Sequence, residues 1–266
     1  MNDLTDKMAS TRRLDELTNP DVEKMLAERA LVLVPCGSTE QHGPHLPTGT
    51  DYIASLTICD RVAAQIGGIV LPGFQFGVTP IHMGFTGTVT VTPDTYERVL
   101  FDLVASLATH GVREVAFVNW HEGNIASLST VASRLTFERE LDVVIAHACY
   151  VAEELFGADL GGLTHGGAIE AAAVLGSRPE LARLDRVDWT AEAGGERDAD
   201  LARRGRAFQT VLRDIREISE NGWYGNAGQV DEEQGQSLLA AVSAAVAKEL
   251  DSRFERLAIF RRKEKR

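Results

Sequence analysis

Residues 31–51, LVLVPCGSTEQHGPHLPTGTD, join a short apolar run to a turn-rich polar segment. The run 31–34 is apolar and contains two β-branched valines, which predicts a buried strand. The glycines and prolines that follow restrict the backbone of the polar segment. That segment carries Glu40, His42 and Asp51, and carboxylates with imidazole are ligands that Zn, Mn or Fe take from proteins. The stretch therefore predicts a metal site at the end of a core strand, with an ordinary solvated loop as the alternative.

Strand-like apolar runs alternate with helix-like segments along the rest of the chain. The patterns predict strands at 31–34, 68–71, 114–119 and 143–148, and helices at 51–66, 93–110, 125–140, 166–175 and 238–250. Thr92 before Pro93 is typical of a helix start, and His110 before Gly111 is typical of a helix end. The alternation indicates an α/β fold with a mostly parallel sheet covered on both faces.

Length and composition favour one domain over residues 1–266 and exclude several classes of protein. The chain is 44% hydrophobic, enough for a large core. No apolar run reaches the roughly 18 residues of a membrane span, and residues 1–13 do not resemble a secretory signal, so we expect a cytoplasmic protein without a membrane partner. The formal net charge of −12 argues against nucleic acid as a partner. The basic run at 261–266 is interpreted as a frayed tail.

Two polar or glycine-rich regions and three cysteines lie outside the strand and helix patterns. Residues 185–206 are polar and are interpreted as a mobile insertion or lid. The loop 222–228 carries glycines and aromatic residues, which suit either a substrate-facing loop or a plain surface turn. The cysteines are odd in number and widely spaced, so we expect buried free thiols at positions 36, 59 and 149.

Two further polar clusters have the same chemistry as the first. Residues 119–124, NWHEGN, follow a predicted strand, and the carboxyl edge of an open α/β sheet is where ligands bind. His121 is therefore placed to join Glu40 and Asp51, unless it is a structural histidine. Residues 164–170, THGGAIE, would put His165 at the start of a helix and Glu170 one turn further on. His165 could act there as a general acid or base, or simply cap the helix.

Taken together, four motifs resemble the creatininase family of amidohydrolases. They are Glu-Gln-His-Gly-x-His-x5-Asp at 40–51, Phe-x-Gly-Thr at 85–88, Asn-x-His-x-x-Asn at 119–124 and His-Gly-Gly-x-x-Glu at 165–170. The resemblance covers about residues 31–175 and has a weaker echo at 225–235. It implies a three-layer α/β/α sandwich, two divalent metal ions (Zn, Mn or Fe), hydrolysis of a non-peptide or cyclic C–N bond and a homo-oligomer, commonly a hexamer.

The resemblance also implies roles for individual residues. Glu40, Asp51 and His121 would bind one metal, and His42 with the bridging Asp51 would bind the other. In creatininase the last ligand lies two residues after the mid-chain histidine, where this chain has Gly123. Glu170 is therefore preferred as that ligand, with Glu122 as the fallback. His165, or otherwise Glu122, would protonate the leaving nitrogen, and the residues expected to contact the small-molecule substrate are Trp120, His82, Trp223 and Asn226.

The substrate is less well determined than the chemistry. This chain has no tryptophan between 120 and 189, where creatininase places those expected to enclose creatinine, so creatinine itself is not expected. Relatives include formamide hydrolases, a peptidase that trims a cofactor precursor peptide and a hydrolase that opens a keto-inositol ring. Outside the enzymes, the alternative is a non-catalytic metal-binding scaffold, while the glycine motifs of nucleotide-binding modules are missing from the sequence.

Overall fold

A computed structural model describes residues 11–189, 195–204 and 207–264, with side chains up to residue 261. Its sheet has four strands: β1 (Leu31–Cys36), β2 (Ile69–Val70), β3 (Glu114–Asn119) and β4 (Asp142–His147). The strands are ordered β2-β1-β3-β4, and every neighbouring pair is parallel. All four strands therefore point their carboxyl ends toward the same edge of the sheet.

Helices cover both faces of this sheet. In the described part of the chain they are α1 (Asn19–Glu28), α2 (Thr50–Ile66), α3 (Pro93–Ala108), α4 (Ile125–Arg139), α5 (Ala148–Leu160), α6 (Ala168–Leu175), α7 (Glu196–Arg203) and α8 (Glu232–Glu264). Short 3-10 helices lie at Leu14–Glu16, Pro80–His82, Glu122–Asn124, Pro179–Leu181, Leu184–Arg186 and Ile215–Glu217. Side chains that alternate along each strand supply the two hydrophobic layers.

Strand β1 shows how the two layers arise. Leu31 and Leu33 pack with α2, α5, α6 and α8 in one buried cluster, while Val32 and Val34 pack with α1, α3 and α4 in the other. Every residue of β1 is buried, as expected of a central parallel strand. The three-layer α/β/α sandwich with a parallel sheet is confirmed.

Several element boundaries differ from the sequence prediction. Helix α6 begins at Ala168 with Gly167 before it, because Gly166 takes a φ of 75° and delays the helix. Helix α8 runs well beyond 238–250 at both ends. Helices α1, α5 and α7 were not predicted, and α5 follows β4 without an intervening loop, so no turn residue marks its start. The start of α3 is confirmed, since the Thr92 side chain accepts a hydrogen bond from the Thr95 backbone N–H.

The remaining sequence expectations have mixed outcomes. All three cysteines are free and buried, as expected, and burial raises the pKa of the Cys36 thiol to about 12. Within the described ranges, no helix has the length and apolar character needed to cross a membrane. Of the interpreted insertion, 190–194 and 205–206 lie outside the described residues, as do 265 and 266 of the basic run; 195–204 include α7, and the backbone of α8 continues to residue 264.

Candidate metal centre

The polar clusters meet at the carboxyl edge of the sheet. Glu40 and His42 follow β1, Asp51 lies in the first turn of α2, and His121 follows β3. His165 and Glu170 approach from the loop before α6 and from its first turn. We call these six residues the donor cluster. Glu40, Asp51, His121, His165 and Glu170 line one cavity of about 560 Å³.

Three members form a buried triad next to the sheet. His121 Nδ1 lies 3.1 Å from Asp51 Oδ2 and 3.4 Å from Glu40 Oε2. The Ser38 hydroxyl donates to Asp51 Oδ2 at 2.7 Å, and the Thr79 hydroxyl donates to Glu40. One donor atom from each of Glu40, Asp51 and His121 falls within a 4.8 Å span, so the triad suits one cation.

The other three members face the opposite side of Asp51. His42 Nε2 lies 3.2 Å from Asp51 Oδ1 and 3.6 Å from Glu170 Oε2. Donor atoms of His42, His165 and Glu170 again fall within 4.8 Å of one another. Since His42 and His121 approach different oxygens of Asp51, that carboxylate is positioned between the two groups.

His82 lies beside the cluster. Its ring stacks on His165 with 4.2 Å between centroids, and its Nε2 is 3.7 Å from Glu40 Oε1. Glu40, His82 and His165 make a third group of donors within 4.8 Å. This group shares one residue with each of the other two, whereas those two share none and can be filled together.

Three imidazoles of the cluster are oriented in the same way. One ring nitrogen of each lies within hydrogen-bond distance of a backbone carbonyl: His42 Nδ1 at Glu40 O (3.1 Å), His121 Nε2 at Val78 O (3.2 Å) and His165 Nε2 at Gln41 O (2.7 Å). Donation to a carbonyl assigns the proton to that nitrogen and leaves the other one to face the carboxylates. This is the arrangement that fixes histidine ligands in metal sites.

The charges of the cluster compensate one another internally. Burial opposes protonation of His42, but Glu170 and Asp51 outweigh it and raise the pKa of His42 to about 10. For Asp51, burial opposes ionisation, yet His42 prevails and lowers the pKa to about 2. Burial raises the pKa of Glu170 to about 7, despite the opposing effect of His42. Protons on histidine therefore occupy the place that a cation would take.

Glu122 and Gly123, which follow His121, contribute no side chain to the donor cluster. A Cβ on Gly123 would lie 2.1 Å from Val78 O and 2.5 Å from His121 Nε2, so no side chain fits there. Glu122 points elsewhere: one of its carboxylate oxygens accepts hydrogen bonds from Tyr150 Oη and Arg204 Nη1, both at 2.7 Å. Glu170, not Glu122, lies beside His42.

The predicted substrate contacts are only partly brought together. Trp120 and His82 line the cavity. Trp223 and Asn226 are not among the described residues that line it: Trp223 packs edge-on against His45, and the exposed Asn226 accepts from the Gly228 backbone N–H. Tyr224, between them, faces the cavity instead.

The sequence prediction did not include several residues that contact the site but do not belong to the donor cluster. Ser38 and Thr79 orient two carboxylates, and Arg203 and Arg204 reach the cavity from α7 and the residue after it. Ser38 lies inside the first motif and could have been considered. The arginines lie in a polar segment whose composition shows no relation to the sheet edge.

Comparisons with known proteins identify the family of this chain. The model of the creatininase family, described as creatinine amidohydrolase, matches residues 15–250. Creatinine amidohydrolase of Pseudomonas putida is 28% identical over 200 residues, which cover 68% of this chain and 77% of that protein. A mycofactocin precursor peptide peptidase of Mycolicibacterium smegmatis is 37% identical over 114 residues, or 41% of this chain and 46% of the peptidase.

A third relative and two solved structures complete the comparison. A 3-dehydro-scyllo-inosose hydrolase of Thermotoga maritima is 31% identical over 106 residues, covering 40% of this chain and 34% of that hydrolase. A creatininase with Mn superposes with a TM-score of 0.75 at 23% identity, covering 92% of this chain and 99% of the other. A mutant creatininase of the Zn–Zn type gives 0.74 at 23% identity, covering 92% and 98%. With the family model matching most of its length and the fold shared throughout, this chain belongs to the creatininase family.

Proposed function

We propose that this chain is a hydrolase that uses two divalent metal ions to cleave a non-peptide or cyclic amide C–N bond. The three imidazoles tied to backbone carbonyls carry this proposal, since each presents its other nitrogen to buried carboxylates. The proposed ligands, three carboxylates with the imidazoles of His42 and His121, form a mixed oxygen and nitrogen donor set, which suits Zn, Mn or Fe. Solved creatininases with Mn and of the Zn–Zn type support the choice of metal.

The ligand assignment starts from the two non-overlapping groups and replaces His165 in the second group with Asp51, whose Oδ1 lies 3.2 Å from His42. Glu40, Asp51 and His121 would hold one ion, and His42 with Glu170 and the shared Asp51 would hold the other. Two ions bound in this way would supply an activated water and a Lewis acid that polarises the scissile carbonyl. Hydrogen bonds from Ser38 and Thr79 orient the carboxylates of Asp51 and Glu40 at the proposed metal site.

His165 is the residue proposed to transfer a proton to the leaving nitrogen. Burial, reinforced by His82 and His42, lowers the pKa of His165 well below its ordinary value, so the ring begins neutral. Its Nε2 is held at the Gln41 carbonyl, which leaves Nδ1 to take up a proton and pass it to the leaving nitrogen. Glu122 is less suited to this role because Tyr150 and Arg204 already hold its carboxylate.

The cavity volume supports a small-molecule substrate. About 560 Å³ lies within the roughly 300–1,000 Å³ range of small-ligand sites. The mycofactocin precursor peptidase relative supports a short peptide as the alternative substrate, and the inosose hydrolase relative supports a keto-inositol.

A screen of the purified, metal-loaded protein tests the proposal. Cyclic amides, formamides, short peptides and keto-inositols would each be incubated with wild type and with Asp51→Asn as the matched control. Turnover by wild type that chelation abolishes and the variant lacks is the expected result. A protein that binds metal yet turns over no member of the screen would favour the non-catalytic scaffold instead.

We also propose a homo-oligomer, with six copies as the expected number. Apolar side chains remain exposed on the single chain, among them Phe137 (83%), Phe208 (88%) and Val211 (85%). Light scattering on the purified protein measures the mass directly, and a monomer across micromolar concentrations would contradict this part of the proposal.

A further inference from the structure

Three charged side chains line one side of the cavity, and a fourth, Asp200, lies behind them. Arg203 ends α7 and Arg204 follows it, and both line the cavity. They flank Asp200, which is 1% exposed and accepts from Arg203 Nε at 2.5 Å as well as from Arg204. Glu122 faces the same two arginines from the end of β3. We call Glu122, Asp200, Arg203 and Arg204 the arginine wall.

Asp200 and Glu122 accept only some of the hydrogen bonds that the two arginines can donate. Each guanidinium carries five N–H donors. Arg204 Nη1 donates to Glu122 at 2.7 Å and Nη2 donates to Asp200, but its Nε finds no acceptor among the described residues although it is buried. Arg203 Nη2 stands 3.5 Å from Glu122, a long and weak contact. The two arginines can therefore bind a further acceptor.

A second residue that lines the cavity also carries an unpaired donor. Trp120 lines the cavity and is 2% exposed. Its indole Nε1, which can only donate, is also buried without an acceptor among the residues the structure describes. A buried donor without a partner is costly, so unpaired donors around one cavity indicate that its ligand brings the acceptors.

We propose that the arginine wall binds a carboxylate of the substrate, so that the molecule hydrolysed is an amide that also carries an acid group. A planar carboxylate matches the fork of a guanidinium and is bound by two parallel N–H donors. Arg204 is the specificity-determining residue, and Arg203 assists it. Glu122 limits the affinity of the wall for the substrate carboxylate, because its own carboxylate competes for the same N–H donors.

Binding of two matched probes tests this inference, which rests on the proposed function for the identity of the cavity and for the amide that is hydrolysed. N-acetylglycine and N-acetylglycinamide have nearly the same shape and differ in a carboxylate against a carboxamide. Calorimetry on the full-length protein, with metal content measured in each sample, gives both dissociation constants without any turnover. A failure to hydrolyse amides would contradict the proposed function and leave this comparison intact.

The wild type should bind the carboxylate at least about tenfold more tightly than the amide, the usual scale of a charge-assisted pair. Arg204→Gln should remove that preference at unchanged metal content, and Arg203→Gln should weaken it. Glu122→Gln should increase it, since the competing carboxylate is gone. Arg134→Gln, an exposed arginine paired with Glu138, should leave it unchanged.

Two results would overturn the inference. Equal or undetectable binding of both probes by the wild type is the first. The second is a preference that survives in Arg204→Gln, which would place the carboxylate on the metal ions. Should Arg204→Gln fail to fold, Arg203→Gln and Glu122→Gln decide the matter, because their opposite shifts are not expected of a merely structural wall.

Discussion

The donor cluster and the arginine wall lie at the same cavity, and in both of them glutamate and aspartate side chains are paired with basic residues, but the basic residues differ. In the donor cluster, Glu40 and Asp51 are 1% exposed and face histidines, whose imidazoles can give up a proton when a cation binds. In the arginine wall, Glu122 and Asp200 face guanidinium groups, which do not. A cation can therefore displace protons from the first group, whereas arginine permanently neutralises the second. The partner of a carboxylate, more than its position in the chain, decides whether it suits a metal ion.

Breaking the shared carboxylate should have the largest effect. Asp51 lies between the two groups of donors, so Asp51→Ala should lose both ions and nearly all hydrolysis. His42→Ala should lose the second ion and retain the first, because His42 approaches only one side of Asp51. Elemental analysis of both variants measures this, and a full metal content in Asp51→Ala would show that Asp51 does not bridge.

Removing the proton carrier should have the next largest effect. His165→Asn should lower turnover of an amide by about 10²-fold or more, the scale of lost general acid–base catalysis. The effect should shrink for a substrate with a good leaving group, because such a group departs with little protonation. Metal content should stay unchanged, and a variant that loses its second ion would identify His165 as a ligand instead.

Exchanging one carboxylate from each region tests the comparison itself. Glu170→Gln should lower the affinity for the second metal ion by roughly tenfold or more, while Glu122→Gln should leave metal affinity near that of the wild type. The reason is that Glu170 lies 3.6 Å from His42 and Glu122 is held by Tyr150 and Arg204. Metal titrations of the two variants side by side give the order, and the reverse order would move the ligand role to Glu122.

A smaller effect is expected in the pH dependence of the metal-free protein. His42 has a folded pKa of about 10 against 6.5 in the reference state, so its stabilising proton is fully present below about pH 6.5 and is lost as the pH rises through 10. Glu170, raised from 4.5 to about 7, acts in the same direction at lower pH. Urea denaturation after chelation should therefore show the free energy of unfolding falling between pH 6.5 and 10. His42→Gln should flatten the profile, and stability that rises across this window would contradict the charge assignment.

The parts predictable from sequence were those with a local signal. Buried parallel strands appear as apolar runs, and Gly and Pro marked where β1 and the segment before α3 change direction. Glu40, His42 and His121 were predictable as neighbours because they follow strands whose ends share one edge, whereas His165 and Glu170 reach that edge from the start of α6. The arginine wall was not, since Arg203 and Arg204 reach Glu122 across some eighty residues of chain and nothing in their local sequence indicates that contact. The sequence also could not show that Tyr224 faces the cavity while its neighbour Trp223 does not. Trp223 packs against His45 and Gly43 instead, and such contacts depend on the tertiary structure.

The central claim, two ions sharing Asp51, is tested most directly by anomalous diffraction from crystals of the metal-loaded protein. We expect two peaks, one among Glu40, Asp51 and His121 and one between Asp51, His42 and Glu170, with none at Glu122. A single peak, or a peak among Glu40, His82 and His165, would contradict it.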